Sequence, residues 1–232
     1  MHYVVIAAGE GSRLVQEGVL QPKPLIPLKG RPMVGRLLDI FCNLRPESIS
    51  IIVNERMRDV EEYVRSWQLD HPNVSLRLLV KSTPSSMHSL AALCDEIVPS
   101  GKFVCTTVDT IFRESEFSDY IDNFEKCEDF LFGVTSFVDD EKPLWVHTEK
   151  GGVICSFSDQ GPAPFVSGGI YGMDRDRILP VLHQCLAAGQ SRMRNFQRAL
   201  LTADIQVRAY VFDKIMDIDH KSDIQKAEQW LA

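Results

Sequence analysis

The segment that most limits the folds open to this chain is its beginning, an apolar run that stops at a glycine-rich turn. Tyr3-Val4-Val5-Ile6-Ala7-Ala8 has no polar alternation, so it reads as a strand buried on both faces. Buried strands of that kind belong to parallel sheets covered by helices on both sides. The turn Gly9-Glu10-Gly11-Ser12-Arg13-Leu14 follows, and the loop runs on to about Lys23 in Pro22-Lys23-Pro24-Leu25. Glycine has no Cβ, so a turn built on it lets backbone N–H groups approach phosphate oxygens closely. Arg13 and Lys23 set positive charge beside that turn. A guanidinium grips phosphate through parallel hydrogen bonds, whereas an ammonium acts as a mobile point charge.

Downstream, short apolar strands alternate with amphipathic helices, the pattern of an α/β sheet with parallel strands. Strands are expected at Ile49–Val53, Val74–Val80 and Phe103–Val108. Helices are expected from Pro32, then at Arg56–Trp67, Ser86–Ile97 and Glu114–Lys126. The next stretch is strand-rich: Phe130–Phe137, Leu144–His147, Val153–Phe157 and Phe165–Tyr171, with Gly151-Gly152 as a hairpin turn. Helices at Arg175–Ala188 and Arg194–Thr202, a strand at Ile205–Phe212 and a helix at Ser222–Leu231 close the chain. No internal repeat or linker-like run interrupts it, so one domain over 1–232 is expected.

Composition excludes several classes. A net charge of -7 over 232 residues argues against nonspecific nucleic-acid binding, which needs a basic footprint. No apolar stretch is long enough to cross a bilayer, and the first strand lacks the basic flank of a secretion signal. Cys42, Cys94, Cys105, Cys127, Cys155 and Cys185 are irregularly spaced with no C-x-x-C pair, which fits reduced thiols in a cytoplasmic protein. Oligomeric state stays open.

The pattern A-A-G-x-G-S-R-L with a following P-K-P-L resembles the signature of the sugar-phosphate nucleotidyltransferases. The G-x-x-x-x-G-K-[ST] motif of P-loop ATPases is absent, and leucine at position 14 breaks the dinucleotide-binding G-x-G-x-x-G spacing. The resemblance implies a doubly wound, Rossmann-like fold with a mostly parallel mixed sheet and a strand-rich insertion on the acceptor side. It implies a nucleoside triphosphate and a sugar phosphate as partners, with Ala7, Ala8, Gly9, Gly11, Ser12, Arg13 and Lys23 around the nucleotide. The nucleotide half then covers about residues 1–128 and the acceptor half about 129–232. Arg13, Lys23 and Asp109 are the expected catalytic residues.

Asp109 ends an apolar strand, at the carboxyl edge where open α/β sheets bind ligands. Family members usually have Gly-Asp there and use the aspartate for Mg²⁺; here Val108 replaces the glycine. Met216-Asp217-Ile218-Asp219 resembles the family's closing segment. Asp217 and Asp219 alternate by two, so an extended chain points both one way, which suits a hard cation. The resemblance leaves either of them as the second metal ligand beside Asp109, and Ser222 reads as the cap of the last helix. Ser85 and Ser86 either frame the nucleobase or cap a helix. Gly168, Gly169 and Tyr171 resemble the family's acceptor-lining N-x-G-I-Y strand, with the glycine pair equally readable as a bulge.

One departure bears on the acceptor. The family's Glu-Lys-Pro, whose lysine meets the sugar phosphate, is Ser158-Asp159-Gln160-Gly161-Pro162 here. Either the acceptor is unusual, or another cation, such as Arg192 or Arg194, replaces the lysine. The departures keep two further readings open: a nucleotide-sugar-binding regulatory subunit without turnover, and a cytidylyltransferase of phosphocholine type. No repeat pattern follows the last helix, so an appended acyltransferase domain is not expected.

Overall fold

The computed structural model describes residues 1–231. Its first half runs β1 (His2–Ala7), α1 (Ser12–Gln16), β2 (Pro27–Leu28), β3 (Arg31–Pro32), α2 (Met33–Asn43), β4 (Ser48–Val53), α3 (Arg58–Asp70), β5 (Leu76–Val80), α4 (Ser86–Glu96), β6 (Lys102–Thr107), β7 (Thr110–Ile111) and α5 (Glu114–Lys126). The second half runs β8 (Phe130–Thr135), β9 (Trp145–Thr148), β10 (Ile154–Ser158), β11 (Phe165–Asp174), α6 (Arg175–Ala187), α7 (Met193–Thr202), β12 (Val207–Phe212), β13 (Met216–Asp217) and α8 (Lys221–Trp230).

A nine-stranded sheet carries the molecule, with β1 flanked by β4 and β6 in parallel and β5 beyond β4. β11 runs antiparallel to β6, β8 and β9, and β12 pairs with β8 in parallel. This is the expected α/β class with a mostly parallel mixed sheet. Alternation along β1 shows why both faces need helices. Tyr3, Val5 and Ala7 join the core under α2, α3 and α5, whereas Val4 and Ile6, followed by Ala8, join the core under α4, α6 and α7.

Local sequence explains the element ends. α2 buries Met33, Val34, Leu37, Leu38 and Phe41 at helical spacing, and the chain turns out at Arg45, with φ 51, just before Pro46. Asp174 caps α6 by accepting from the backbone N–H groups of Asp176 and Arg177 at 3.0 and 3.2 Å. Gly151 and Gly152, at φ 84 and 79, turn the β9–β10 hairpin as expected. The loop after β1 is less open than its glycines suggest, because Ser12–Gln16 forms α1. The cap of α8 is His220 rather than Ser222, with Asp223 accepting from the His220 backbone N–H at 2.8 Å. No described helix is long and apolar enough to cross a membrane.

β11 is where the parallel and antiparallel parts meet, and it leaves little room. A Cβ on Gly172 would stand 2.7 Å from the Tyr120 hydroxyl and 2.8 Å from a Phe124 ring carbon. Both rings are fully buried, and Tyr120 donates to the Leu131 carbonyl at 2.6 Å. Gly172→Ala is therefore expected to lower unfolding free energy by about 1–3 kcal/mol, the usual cost of overpacking, in urea titrations. Gly9→Ala, where nothing lies within 4 Å of the added carbon, is the reference. Equal losses in the two variants would contradict this packing.

Candidate active site

At the carboxyl ends of β1 and β6 the structure opens a cleft of about 700 Å³. Ala8, Gly9, Gly11, Ser12, Arg13 and Lys23 line one wall, Ser85 and Ser86 another, and Asp109, Asp217 and Asp219 the floor. Three segments far apart in sequence thus reach one space, as expected. Ala7 does not line it. The residue is fully buried in the opposite core, because neighbouring strand residues point to opposite faces.

The floor is organised by one buried ammonium. Lys23, 8% exposed, lies in a short 3-10 turn, Lys23–Leu25, and its Nζ donates to Asp109 and, at 3.0 Å, to Asp219 Oδ1. Arg13 donates to the other oxygen of Asp219 at 2.7 Å. Burial pushes the Lys23 ammonium down, but the two carboxylates outweigh it and hold it above its usual value. Burial likewise pushes the Asp109 carboxyl up, and the Lys23 charge more than reverses that. Gly11 allows the fit. It stands at φ 62, and a Cβ there would lie 3.0 Å from Lys23 Cβ.

Asp217 is placed differently. β13 pairs with β7 antiparallel, setting Asp217 opposite Thr110, whose hydroxyl donates to Asp217 Oδ1 at 3.1 Å. The Ile218 backbone N–H donates to the Asp109 carbonyl at 3.1 Å, which docks the closing segment on the β6 loop. No lysine or arginine pairs with Asp217 among the described residues. Asp217 is open to the cleft; crowding of its carboxyl by the surrounding walls, with the Asp109 charge beside it, pushes it up to about 8.

That contrast bears on a metal. No described group of three or more His, Cys, Asp or Glu side chains is arranged to hold an ion, so a protein-only cage is absent. A magnesium site of the usual kind needs only one or two carboxylates, with phosphate oxygens and water completing the shell. Asp109 and Asp217 fit that requirement, because their mutual repulsion is what a divalent cation relieves. Asp219 is committed to Lys23 and Arg13.

The β11 residues divide. Ser167 and Gly168 border a smaller adjoining cavity, and the β11–β8 register shifts between Ser167 and Ile170, so the glycine pair is a bulge. Gly169 lines neither cavity. A Cβ there would stand 2.7 Å from Thr110 Oγ1, so its bareness makes room for the hydroxyl that holds Asp217. Tyr171 does not face the acceptor side either. Its ring is buried edge-on against Phe132, pointing to the core face of the strand. Arg194 is spent on Asp159 and the Lys142 carbonyl, and neither it nor the exposed Arg192 borders the cleft or the adjoining cavity.

Three supporting residues were not singled out from sequence. Asn54, 4% exposed at the end of β4, donates to the Ala8 carbonyl at 3.1 Å and accepts from Ser82 Oγ at 2.9 Å, tying the glycine turn to the serine loop. A polar residue ending the apolar run Ile49–Val53 was the available signal. Thr110 is the second. Glu17 is the third: it accepts from the His220 ring at 2.6 Å and the Lys221 backbone N–H at 2.7 Å, joining α1 to α8. Ser85 serves both expected readings, capping α4 through the His88 N–H at 3.4 Å while bordering the cleft.

The raised carboxyl of Asp217 has a measurable consequence. An acid held above its unfolded value of 3.8 keeps its proton longer when folded, so it costs stability as pH rises from there toward about 8. An amide in its place cannot ionise. With metals chelated, Asp217→Asn is expected to match the parent near pH 4 and to gain in urea midpoint as pH rises toward 8. A pH-independent offset would contradict the assignment.

The comparisons with known proteins agree with this geometry. A family model described as a MobA-like NTP transferase domain matches residues 3–205. The bifunctional protein GlmU of Methanococcus maripaludis is 28% identical over 127 residues, 55% of this chain. That match takes in 28% of the longer protein. The inositol-1-phosphate CTP transferase of T. maritima superposes with TM-score 0.78 at 18% identity, covering 100% of this chain and 97% of that one. A Bacillus anthracis protein proposed to be a glucose-1-phosphate thymidylyltransferase superposes with TM-score 0.84 at 20% identity, covering 99% and 95%. At such identities the superpositions speak for the fold, and the match over residues 3–205 for the lineage: the chain belongs to the MobA-like NTP transferase domain family.

Proposed function

We propose that the protein transfers a nucleotidyl group from a nucleoside triphosphate to a phosphorylated small molecule, a sugar 1-phosphate in the reading the sequence resemblance suggests, and releases pyrophosphate. The observation that carries this reading is the meeting of the glycine turn, Lys23, Asp109 and Asp217 in one cleft. Retention of all of these argues for turnover over a purely regulatory role.

In this reading an oxygen of the acceptor phosphate forms a bond to the α-phosphorus. The bond from that phosphorus to the bridging β-oxygen breaks, and pyrophosphate leaves with the electron pair. The attacking phosphate is already anionic, so the protein needs no covalent nucleophile; its work is positioning and charge neutralisation. The Gly9–Ser12 backbone and Arg13 hold the triphosphate, and Lys23 turns from its carboxylates toward the phosphates as they enter. Asp109 and Asp217 would hold Mg²⁺, which supplies charge neutralisation at the α-phosphate.

Asp109→Asn keeps the side-chain volume and removes the charge. It is expected to fold, by circular dichroism, and to release pyrophosphate ~10²–10³-fold more slowly from a mixture of triphosphates, acceptor phosphates and Mg²⁺. Parent-level release by the folded variant would refute the reading.

A further inference from the structure

The core-facing stripe of α7 carries one residue that its pattern does not call for. Met193, Phe196 and Leu200 pack into the core, and Gln197 lies buried among them at 2% exposure. A buried amide needs partners, and an apolar side chain of the same shape would hold the helix about as well. The partners of Gln197 therefore matter more than its burial. Both lie on β11, at the two ends of the bulge where its register shifts between Ser167 and Ile170. The Gln197 amide oxygen accepts from the Ser167 hydroxyl at 3.0 Å. Its amide nitrogen donates to the Tyr171 hydroxyl at 3.4 Å, a longer and weaker contact.

The backbone of Ser167 is already pinned. Its N–H donates to the Leu144 carbonyl at 2.9 Å, and a Cβ on the next residue, Gly168, would stand 2.2 Å from Ile215 Cδ1. Rotation of the Ser167 side chain is the freedom that is left, and Gln197 sets it. The consequence is a polarity. A serine hydroxyl has one hydrogen to give, and here it is given to Gln197. Toward any other group the Ser167 oxygen only accepts.

Gln197 borders neither the nucleotide cleft nor the smaller cavity, whereas Ser167 borders the smaller one, which shares Arg13 and Asp219 with the cleft. The network also lies close to the cleft floor. The Asp217 and Asp109 charges reach the Tyr171 hydroxyl and add to the burial that raises it. Under the proposed function, on which this inference rests, the acceptor phosphate lies at the border shared by cleft and cavity. The acceptor body beyond that phosphate meets Ser167.

We propose that Gln197 is a positioning residue for the acceptor: it holds the Ser167 hydroxyl as a fixed hydrogen-bond acceptor, which takes an O–H from the substrate body. Selection at this point is for a donor group, and Gln197 exerts it through Ser167 without touching the substrate.

The test takes the parent, Gln197→Met, Ser167→Ala and the double variant through a panel of hexose 1-phosphates with mixed triphosphates and Mg²⁺. Pyrophosphate release and calorimetric binding are both read. Each single variant is expected to fold, by circular dichroism, and to keep the triphosphate KM of the parent. Each is expected to raise the acceptor KM, or weaken acceptor affinity, about 3–10-fold, the worth of one neutral hydrogen bond. The double variant is expected to lose no more than Ser167→Ala alone. Additive losses, equal rises in both KM values, or an unchanged acceptor KM in Gln197→Met overturn the inference. If Gln197→Met fails to fold, Gln197→Leu takes its place under the same expectations. For the best acceptor, replacing one hydroxyl by hydrogen or by fluorine is expected to cost the parent about 3–10-fold and Ser167→Ala nothing. Fluorine accepts but cannot donate, so full binding of every fluoro analogue by the parent overturns the inference. Turnover that ignores both residues does so too and leaves the transferase reading standing. Acceptor binding that depends on both residues, without pyrophosphate release, supports the inference and overturns the transferase reading. A parent that binds no hexose 1-phosphate overturns the inference.

Discussion

A single ammonium, that of Lys23, holds together segments separated by nearly the length of the chain. It reaches Asp109 at the end of β6 and Asp219 in the closing segment, with Arg13 braced on the same aspartate. Burying a charge is expensive unless it is paired, and removing one partner of such a pair typically costs about 3–5 kcal/mol. The contact therefore acts as a register mark: the closing segment has one position in which the lysine is satisfied. The same contact leaves the floor ready for chemistry. In the proposed function, incoming phosphates would give Lys23 and Arg13 charge-assisted acceptors in place of these carboxylates.

Around this point the backbone does the positioning. The β7–β13 pair sets Asp217 opposite Thr110, and Gly169 stays bare so that the Thr110 hydroxyl has room. Glu17 fastens α1 to the start of α8, so the helix carrying Arg13 and the segment carrying Asp219 share one mount. The result is two carboxylates with opposite surroundings. Asp109 is neutralised by a lysine and held below its usual range, while Asp217 is unpaired and held above it. In the proposed function, a divalent cation accompanied by a triphosphate is the ligand that would relieve such an unbalanced pair.

Much of this was legible in the sequence because it is written locally. The unbroken apolar run Tyr3–Ala8 needs a two-faced burial, the Gly9–Leu14 turn announces its backbone, and Asp109 stands at a strand end. The convergence of Arg13, Lys23, Asp109, Asp217 and Asp219 followed from the family resemblance. What local pattern could not reveal were contacts between distant residues. Nothing in the sequence near Glu17 tells that it caps a helix some two hundred residues away, and Gly169 looks like a ligand contact until Thr110 is seen beside it. Ala7 was misplaced for a simpler reason, since it lies one strand position from the cleft residues Ile6 and Ala8 and so faces the opposite way; Tyr171 was misplaced because its side of β11 packs into the core against Phe132. The partners that distinguish Asp217 from Asp219, Thr110 for the one and Lys23 with Arg13 for the other, are likewise supplied only by the fold.

The central claim, that three segments converge around one cation-accepting point, is tested most directly by paramagnetic broadening. Manganese(II) titrated with a nucleoside triphosphate into isotopically labelled protein is expected to broaden the amide resonances of Gly9–Arg13, Thr107–Thr110 and Asp217–Asp219 together. Residues of the far sheet edge, such as Leu76–Val80, should stay sharp. Broadening confined to one of those segments, or spread evenly over the acidic surface, would contradict the account.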